Sequence, residues 1–280
     1  MIRLGLIGYP LGHSLSPKIH TAALQACGLE GDYSLFPIHP DDKQSLKDLL
    51  ARLRSGEVQG LNVTIPHKQN VMPYLDELTA TARVIGAVNT IYLREDKLIG
   101  DNTDAPGFLS DLQRFLTTKT GRHRILKALV LGAGGSARAV VYALLNDGWE
   151  VTLIARRIEQ ARQLASSFPA YEIDTMHYES FTLHPTTFSL LVNATPVGMT
   201  PNIGHSPWPA NLPFPPQAAI YDLVYNPRET KLVRDACSQG LSATAGMGML
   251  IEQAILSFEI WTGHKPPREV MFEAVDQPAH

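Results

Sequence analysis

Residues 127–146 read KALVLGAGGSARAVVYALLN, and this stretch decides the fold of the second half of the chain. An apolar run ends in glycines at 132 and 134, and an alanine at 137 completes the spacing GxGxxA where a helical pattern begins. Glycine lets the backbone turn sharply and approach a pyrophosphate, whose charge is met by the unpaired N–H groups of a helix N-terminus. With an ordinary glycine-rich turn as the alternative, the context predicts a dinucleotide-binding turn made of Gly132, Ala133, Gly134, Gly135, Ser136 and Ala137.

The end of the following strand indicates which nicotinamide cofactor binds. An acidic residue at that position would accept hydrogen bonds from the ribose 2′-hydroxyl of NAD. Residues 153–161, LIARRIEQA, instead place Arg156 and Arg157 there. Guanidinium groups suit a 2′-phosphate through charge-assisted, bidentate contacts, so the sequence predicts NADP. For Arg157, a solvated residue at the start of the next helix is an equally good interpretation.

Strand-like runs alternate with helical patterns twice along the chain. The first series is IRLGLIG, a helix over 17–27, DYSLFPIH, a helix over 43–54 and LNVTIP. The second continues from the glycine turn through EVTLIAR, a helix from Ile158, FSLLVNAT, AAIYDLVY and a helix from Pro227. Such alternation is typical of α/β sheets, so two α/β units are predicted.

Two helical segments connect these units. GDNTDAPGFLSDLQRFL (100–116) joins the first series to the second, and GMLIEQAILSFEIWTG (248–263) can cross back to the first unit. We therefore predict an N-terminal α/β substrate domain of residues 1–104 with a C-terminal helical return over 242–280, and a Rossmann-type domain over 105–241. The six prolines between residues 201 and 216 lie inside the second series, which favours a long loop over an interdomain linker.

Composition excludes several classes of protein. The 280 residues are 44% hydrophobic and carry 24 basic against 27 acidic side chains, so no overall positive charge favours nucleic acid. No apolar run approaches the roughly 18 residues of a membrane span, and the N-terminus lacks a signal-peptide pattern, so a cytoplasmic location is expected. Cys27 and Cys237 are read as free thiols. The ten histidines show no HxxxH spacing, and no metal is predicted.

Residues 60–68, GLNVTIPHK, raise a question about Lys68. Pro66 is expected to end the strand, which would put Lys68 at the carboxyl end of the sheet, where open α/β sheets bind ligands. From this nonapeptide alone, an exposed surface lysine is the better interpretation.

Further motifs have to be explained together with the glycine turn. In chain order they are GYPLGHSLSPKIH (8–20), GLNVTIPHK (60–68), GAVNT (86–90), GDNTDAPGF (100–108), GAGGSAR (132–138), NATPVGM (193–199) and GMGMLIEQA (246–254). As an ordered set covering almost the whole chain, they closely resemble the shikimate dehydrogenase family.

The resemblance implies a reaction and a set of site residues. Members of the family oxidise the 3-hydroxyl of shikimate with NADP, or reduce 3-dehydroshikimate with NADPH in aromatic amino acid (chorismate) biosynthesis. The catalytic pair would be Lys68 and Asp104. Substrate contacts would come from Ser14, Ser16, Thr64, Asn89, Tyr225 and Gln253. Beyond the glycine turn and the arginines, Thr195 and Met247 would contact the cofactor. We expect a monomer or homodimer acting on this small molecule, without nucleic acid or membrane partners.

Several of these residues also have structural interpretations. Ser16 before Pro17 is a favourable helix N-cap, and Asp104 could cap the following helix, a role that Asn102 or Thr103 could also fill. Met247 between glycines could be packing filler, and Gln253 a partly buried surface amide.

The chain departs from the family pattern after the second strand of the Rossmann unit. NADP-specific members commonly read Asn-Arg-Thr where this chain reads Ala155, Arg156 and Arg157, which weakens the indication of a strong NADP preference. Ser16 favours shikimate, because quinate-using relatives often carry threonine there. A quinate/shikimate dehydrogenase, a non-catalytic NADP-dependent sensor and, more remotely, a folate-type dehydrogenase are the alternatives.

Overall fold

A computed structural model describes residues 1–117, 126–180 and 188–276. The chain forms two compact units, one of Met1–Gly107 with the segment from Ile251 onwards, and one of Phe108–Leu250. Each unit has its own six-stranded sheet. Among the described residues, the helices are all too short or too polar to cross a bilayer.

The first unit is built on a mixed sheet. Its strands are β1 (Ile2–Gly8), β2 (Gly31–Pro37), β3 (Gly60–Val63), β4 (Glu77–Leu78), β5 (Thr90–Arg94) and β6 (Lys97–Asp101). They lie in the order β2-β1-β3-β5-β6-β4, where β1 is parallel to β2 and β3 and the hairpin β5–β6 is antiparallel. The helices within Met1–Gly107 are α1 (Ser16–Ala26), α2 (Lys43–Arg54), α3 (His67–Asn70) and α4 (Ala80–Ile85).

Helix α2 illustrates how the sequence specifies these elements. Its leucines at 46, 49, 50 and 53 follow helical spacing, and all four are buried in the core. Asp42 caps its start by accepting a hydrogen bond of 3.0 Å from the Ser45 N–H. The buried stripe packs with β1 and β3 residues such as Ile7, Leu61 and Val63.

The second unit is a doubly wound parallel sheet. Its strands are β7 (Lys127–Leu131), β8 (Glu150–Ala155), β9 (Ile173–His177), β10 (Leu190–Asn193), β11 (Ala219–Asp222) and β12 (Ala243–Ala245). Their order is β12-β11-β10-β7-β8-β9, and every neighbouring pair is parallel. This is the Rossmann order, in which the strand sequence reverses between β7 and β10.

Helices complete both units. The second unit contains α6 (Gly135–Asn146), α7 (Ile158–Ser166) and α8 (Lys231–Ser238), and α10 (Arg268–Asp276) belongs to the first. The limits between the units fall inside two helices, α5 (Asp104–Thr117) and α9 (Met247–Thr262). The predicted connector and the predicted C-terminal return are therefore both helical.

Two local expectations were wrong, and one hairpin was not anticipated. The helix expected from Pro227 begins at Lys231, because the Thr230 hydroxyl provides the cap by accepting the Val233 N–H. Strand β3 ends at Val63 rather than at Pro66. The hairpin of β5 and β6 was not anticipated, because its turn residues Glu95 and Asp96 adopt positive φ without the usual asparagine or glycine.

The predicted domain limit at residue 242 comes before the last strand of the second sheet. Strand β12 pairs with β11, so residues 243–245 form the edge of the second sheet. The proline-rich segment lies within the second unit as an ordered loop: Trp208 and Phe214 stack at 5.5 Å and are buried in its core. We propose a domain limit near residue 250, where the compact units divide.

Candidate active site

Lys68 is buried in an ion pair rather than exposed. It lies in α3, two residues after Pro66, and only 8% of it is exposed. Its Nζ donates to Asp104 Oδ2 at 2.5 Å. The Lys68 carbonyl accepts the Val88 N–H at 2.8 Å, and the ring of His67 bonds the Ile38 carbonyl at 2.7 Å. Both contacts fix the backbone that carries the lysine.

Asp104 is the first residue of α5, but Asn102 closes the turn that starts the helix. The Asn102 side-chain oxygen accepts the Ala105 N–H at 3.2 Å, and its amide donates to the Ala87 carbonyl at 2.9 Å. Both Asp104 oxygens therefore face other partners: Lys68 at Oδ2 and the Asn89 amide at Oδ1, at 2.9 Å.

Asn89 connects this ion pair to Gln253. Its amide nitrogen lies 2.9 Å from Asp104 Oδ1, 2.9 Å from Thr103 Oγ1 and 3.2 Å from Gln253 Oε1. Three acceptors thus share two amide hydrogens. Its oxygen accepts the Thr103 N–H at 2.7 Å. Four residues predicted for the site, Lys68, Asp104, Asn89 and Gln253, form one buried polar cluster.

Sequence reasoning missed the hydroxyl groups behind this cluster. Ser257 Oγ, on α9, lies 2.9 Å from Thr90 Oγ1, 3.0 Å from Thr103 Oγ1 and 3.0 Å from the Asn62 amide nitrogen. Ser257 and Thr90 are completely buried. The position of Ser257 four residues after Gln253 was the available signal, since residues at this spacing share one face of a helix.

Ser14 and Thr64 lie on loops that follow the neighbouring parallel strands β1 and β3, and Ser16 is the first residue of α1. Thr64 comes directly after β3 and its methyl group fills the space beside Gly8, the last residue of β1. Ser14 Oγ accepts the Ser16 N–H at 3.3 Å. Helix α1 begins at Ser16 with Leu15 in the N-cap position, so the interpretation of Ser16 as the N-cap was wrong.

The glycine turn has the geometry that a pyrophosphate requires. Gly132 adopts φ of +114°, and a side chain there would press on Thr195 and Ala194. Space is open around Gly134, the N-cap of α6, while Ala137 is fully buried where the helix meets the sheet. No acidic residue lies in the first turn of α6, so its N–H groups meet an anion without opposing charge.

The other predicted cofactor residues are also in the second unit. Arg156 follows the last residue of β8, Arg157 is the N-cap of α7, and both side chains are exposed. Thr195 follows β10, and Met247, half-buried, begins α9. The residues of this unit therefore fit a dinucleotide with an additional phosphate on its ribose.

Tyr225, predicted to contact substrate, lies in the second unit, whereas the other predicted substrate residues lie in the first. It follows β11 by three residues and is half-buried, and burial raises the pKa of its phenol. The predicted site residues thus divide into two sets, one in each unit.

A buried carboxylate ends strand β11. Asp222 accepts hydrogen bonds from the Asn193 amide at 2.7 Å, the Val224 N–H at 3.0 Å and the Thr230 hydroxyl at 2.6 Å. Burial raises the pKa of Asp222 to about 6, and these three hydrogen bonds limit the rise. No motif in the sequence had drawn attention to this residue.

Fold and site together define a class of protein. One unit carries a Rossmann-type glycine turn followed by two arginines, and the other carries a buried lysine–carboxylate pair with amide and hydroxyl neighbours. This combination defines a two-domain oxidoreductase that depends on a nicotinamide dinucleotide.

Comparison with known proteins identifies the family. Shikimate dehydrogenase (NADP(+)) from Salinibacter ruber is 42% identical over 96% of this chain and 95% of its own length. The chain belongs to the shikimate dehydrogenase family. Synechocystis shikimate dehydrogenase (NADP(+)) is also 42% identical, over 97% of this chain and 94% of its own length.

Family models and a solved structure agree with this assignment. The models match residues 6–91 as shikimate dehydrogenase substrate binding domain, 115–200 as shikimate / quinate 5-dehydrogenase and 246–275 as shikimate 5'-dehydrogenase C-terminal domain. The shikimate 5-dehydrogenase of Thermus thermophilus, solved with NADP(H) and shikimate, superposes with a TM-score of 0.84 at 40% identity, over 98% of each chain. The resemblance found in the motifs is confirmed.

The raised pKa of Asp222 predicts a specific pH dependence of stability. Its folded value of about 6 lies above the ordinary 3.8, so its contribution to stability is present below pH 4 and lost as pH rises to about 6. An Asp222→Asn variant cannot ionise there. Its free energy of unfolding relative to the parent should therefore increase by about 2 kcal/mol between pH 4 and pH 7.

Urea unfolding at several pH values measures this difference. Asp174→Asn, which makes the same substitution at an exposed position of β9, serves as the control. A constant offset between Asp222→Asn and the parent would mean that the Asp222 carboxyl group has the same pKa in the folded and unfolded chains.

Proposed function

We propose that the chain catalyses the reversible NADP-dependent interconversion of shikimate and 3-dehydroshikimate, in the biosynthetic direction as a reduction. The observation that carries the proposal is the buried Lys68–Asp104 ion pair inside a cluster of amide and hydroxyl groups. A protein that only bound ligand would not need a proton donor in such a place. The similar proteins from Salinibacter ruber and Synechocystis carry the name of this activity.

The second unit would hold the cofactor. The backbone from Gly132 to Ala137 would receive the pyrophosphate, and Arg156, with a contribution from Arg157, would pair with the 2′-phosphate. Thr195 and Met247 would complete the contacts. When bound, NADPH supplies a hydride from its nicotinamide ring, and NADP accepts one in the reverse direction.

Lys68 would act as the general acid and base. As the substrate carbonyl carbon accepts a hydride, negative charge develops on the oxygen, and the Lys68 ammonium would stabilise this charge and donate a proton to it. In the oxidation direction the neutral amine would take the proton from the 3-hydroxyl. Asp104, 2.5 Å from Nζ, would hold the lysine in position for this proton transfer.

The polar cluster suits a ring with several hydroxyl groups. Asp104 Oδ1, Thr103 Oγ1 and Gln253 Oε1 share the two Asn89 amide hydrogens, so a substrate hydroxyl would bring a further donor to an acceptor-rich group. Thr64 and Tyr225 are further proposed substrate contacts. Ser14 and Ser16 would donate to the substrate carboxylate. We also propose a cytoplasmic location and a monomeric or homodimeric state.

Dual use of quinate is the second candidate. It is favoured by the match of residues 115–200 to a family described as shikimate / quinate 5-dehydrogenase. Ser16, where quinate-using relatives often carry threonine, favours shikimate.

Initial rates with shikimate and quinate, each with NADP and NAD, test the function directly. We expect turnover of shikimate with NADP to exceed every other combination. Comparable rates with quinate would support dual specificity instead. Absence of turnover with either substrate, in a folded protein that binds NADP, would contradict the proposal and favour a sensor.

Replacing Lys68 tests the proposed chemistry. Lys68→Ala should lower kcat about 10²- to 10⁴-fold, the usual effect of a positioned acid–base group, while NADP affinity is preserved. Lys97→Ala is a matched control, because it also removes a lysine paired with a carboxylate, that of Glu77, but at an exposed position. Shikimate turnover by folded Lys68→Ala within a few-fold of the parent would rule out the proposed mechanism.

Replacing Arg156 tests cofactor choice. Arg156→Ala should weaken NADP binding by about 1.5–3 kcal/mol, the value of a hydrogen bond to a charged group. The binding of NAD, which lacks the 2′-phosphate, should be affected much less. Dissociation constants for both cofactors, with Arg157→Ala measured in parallel, separate the two arginines. Arg162→Ala, an exposed arginine of α7 paired with Glu159, is the control. Equal losses for NADP and NAD would exclude a 2′-phosphate contact.

A further inference from the structure

Asn193 and Asp222 form a buried pair at the carboxyl edge of the second sheet. They are the last residues of the neighbouring parallel strands β10 and β11 and lie opposite each other in register. Both are completely buried, and the Asn193 amide donates to Asp222 Oδ1 at 2.7 Å. In a doubly wound sheet this edge is the one that faces bound ligands.

Asp222 has two separate connections beyond Asn193. The Thr230 hydroxyl donates to its Oδ2 at 2.6 Å and, as the cap of α8, accepts the Val233 N–H at 3.3 Å. The Val224 N–H donates to Oδ1 at 3.0 Å. Because burial disfavours the ionised form of Asp222, a carboxylate at this position costs stability at neutral pH. Stability alone therefore does not account for an acidic residue here.

Asn193 holds the segment that follows β10. Its side-chain oxygen accepts the Thr195 N–H at 2.9 Å and the Thr195 hydroxyl at 2.7 Å. The hydroxyl hydrogen of Thr195 is therefore directed at Asn193. The Thr195 hydroxyl oxygen accepts the Val197 N–H at 3.3 Å, which continues the turn.

This segment borders the glycine turn directly. The Ala194 N–H donates to the carbonyl of Leu131, the residue before Gly132, at 2.9 Å. A Cβ at Gly132 would lie 3.0 Å from the Thr195 methyl carbon and 3.1 Å from the Ala194 carbonyl oxygen. The segment and the glycine turn are therefore packed at van der Waals distance, and a displacement of one changes the space available at the other.

We propose that Asn193 and Asp222 are positioning residues for the dinucleotide site, and that they act by holding Thr195 against the Gly132 turn. The inference rests on the proposed function, because it takes the glycine turn as the NADP site. Asp222 fixes the orientation of the Asn193 amide, and Asn193 fixes Thr195 through two hydrogen bonds. The backbone and the methyl group of Thr195 then face the dinucleotide site, whereas its hydroxyl hydrogen is donated to Asn193.

Two variants separate positioning from stability. Asn193→Leu removes both bonds to Thr195 and one donor to the carboxylate. Thr230→Val is the matched control, because it also removes one donor to the same carboxylate but has no bond to the Thr195 segment. We expect Asn193→Leu to weaken NADP binding about tenfold and to leave the KM for shikimate, measured at saturating NADP, within about twofold of the parent. Thr230→Val should lower stability but keep NADP affinity within about twofold.

A second background guards against a variant that fails to fold. Asp222→Asn carries no charge and keeps an oxygen that accepts from Asn193, and its own measured NADP affinity is the reference for the double variant. When Asn193→Leu is added to Asp222→Asn, residue 222 is uncharged, so the second substitution does not deprive a buried carboxylate of a donor. The double variant should bind NADP about tenfold more weakly than Asp222→Asn alone.

The measurement is direct titration of the full chain with NADP in the absence of shikimate, together with steady-state rates. Equal NADP affinities for Asn193→Leu and the parent, or equal losses for Asn193→Leu and Thr230→Val, would overturn the positioning role. A parent that binds NADP without turning over shikimate would overturn the proposed reaction alone. A parent that binds no dinucleotide would overturn both.

Discussion

The buried ion pair of Lys68 and Asp104 is the constraint on which the interior of the first unit depends. Removing charges from water costs several kcal/mol for each ion unless the pair and its remaining hydrogen-bonding groups are satisfied. Asp104 is satisfied by Lys68 and Asn89, and Asn89 in turn bonds Thr103 and Gln253. One buried charge thus fixes the orientation of polar side chains from several elements, and these are the groups proposed to bind a polyhydroxylated ring.

Much of the fold could be predicted because it rests on local patterns. The GxGxxA turn specified β7 and α6, and the leucine spacing specified α2. The elements that escaped prediction lack such patterns. The β5–β6 hairpin turns through Glu95 and Asp96 without the asparagine or glycine that such a turn usually carries, and α8 begins at Lys231, capped by Thr230, rather than at the more conspicuous Pro227. The limit of the second unit depended on strand pairing by the short β12, which composition does not reveal.

Site residues could be predicted from the sequence only where they belong to a recognisable motif. Lys68 was ambiguous in its own nonapeptide, and its burial depends on a residue 36 positions away in the sequence. Ser257 and Asp222 are common residue types at unremarkable positions on a helix and at a strand end, and Asn193 begins the motif NATPVGM, which does not reveal its pairing with Asp222. Their importance arises from neighbours that only the folded sheets bring together. The roles of individual site residues remain predictions, whereas the family is established.

The first unit is discontinuous, and this has a consequence for how the chain acquires its structure during synthesis. Gln253 and Ser257, on α9, supply partners to Asn89, Thr90 and Thr103, which leave the ribosome some 150 residues earlier. Until α9 emerges, these polar groups have to stay hydrated, because burying them without partners costs free energy. The intervening Rossmann unit has all its strands before α9 begins, so it can fold first. The N-terminal residues of the first unit are then synthesised first, but the buried polar cluster of that unit is completed last.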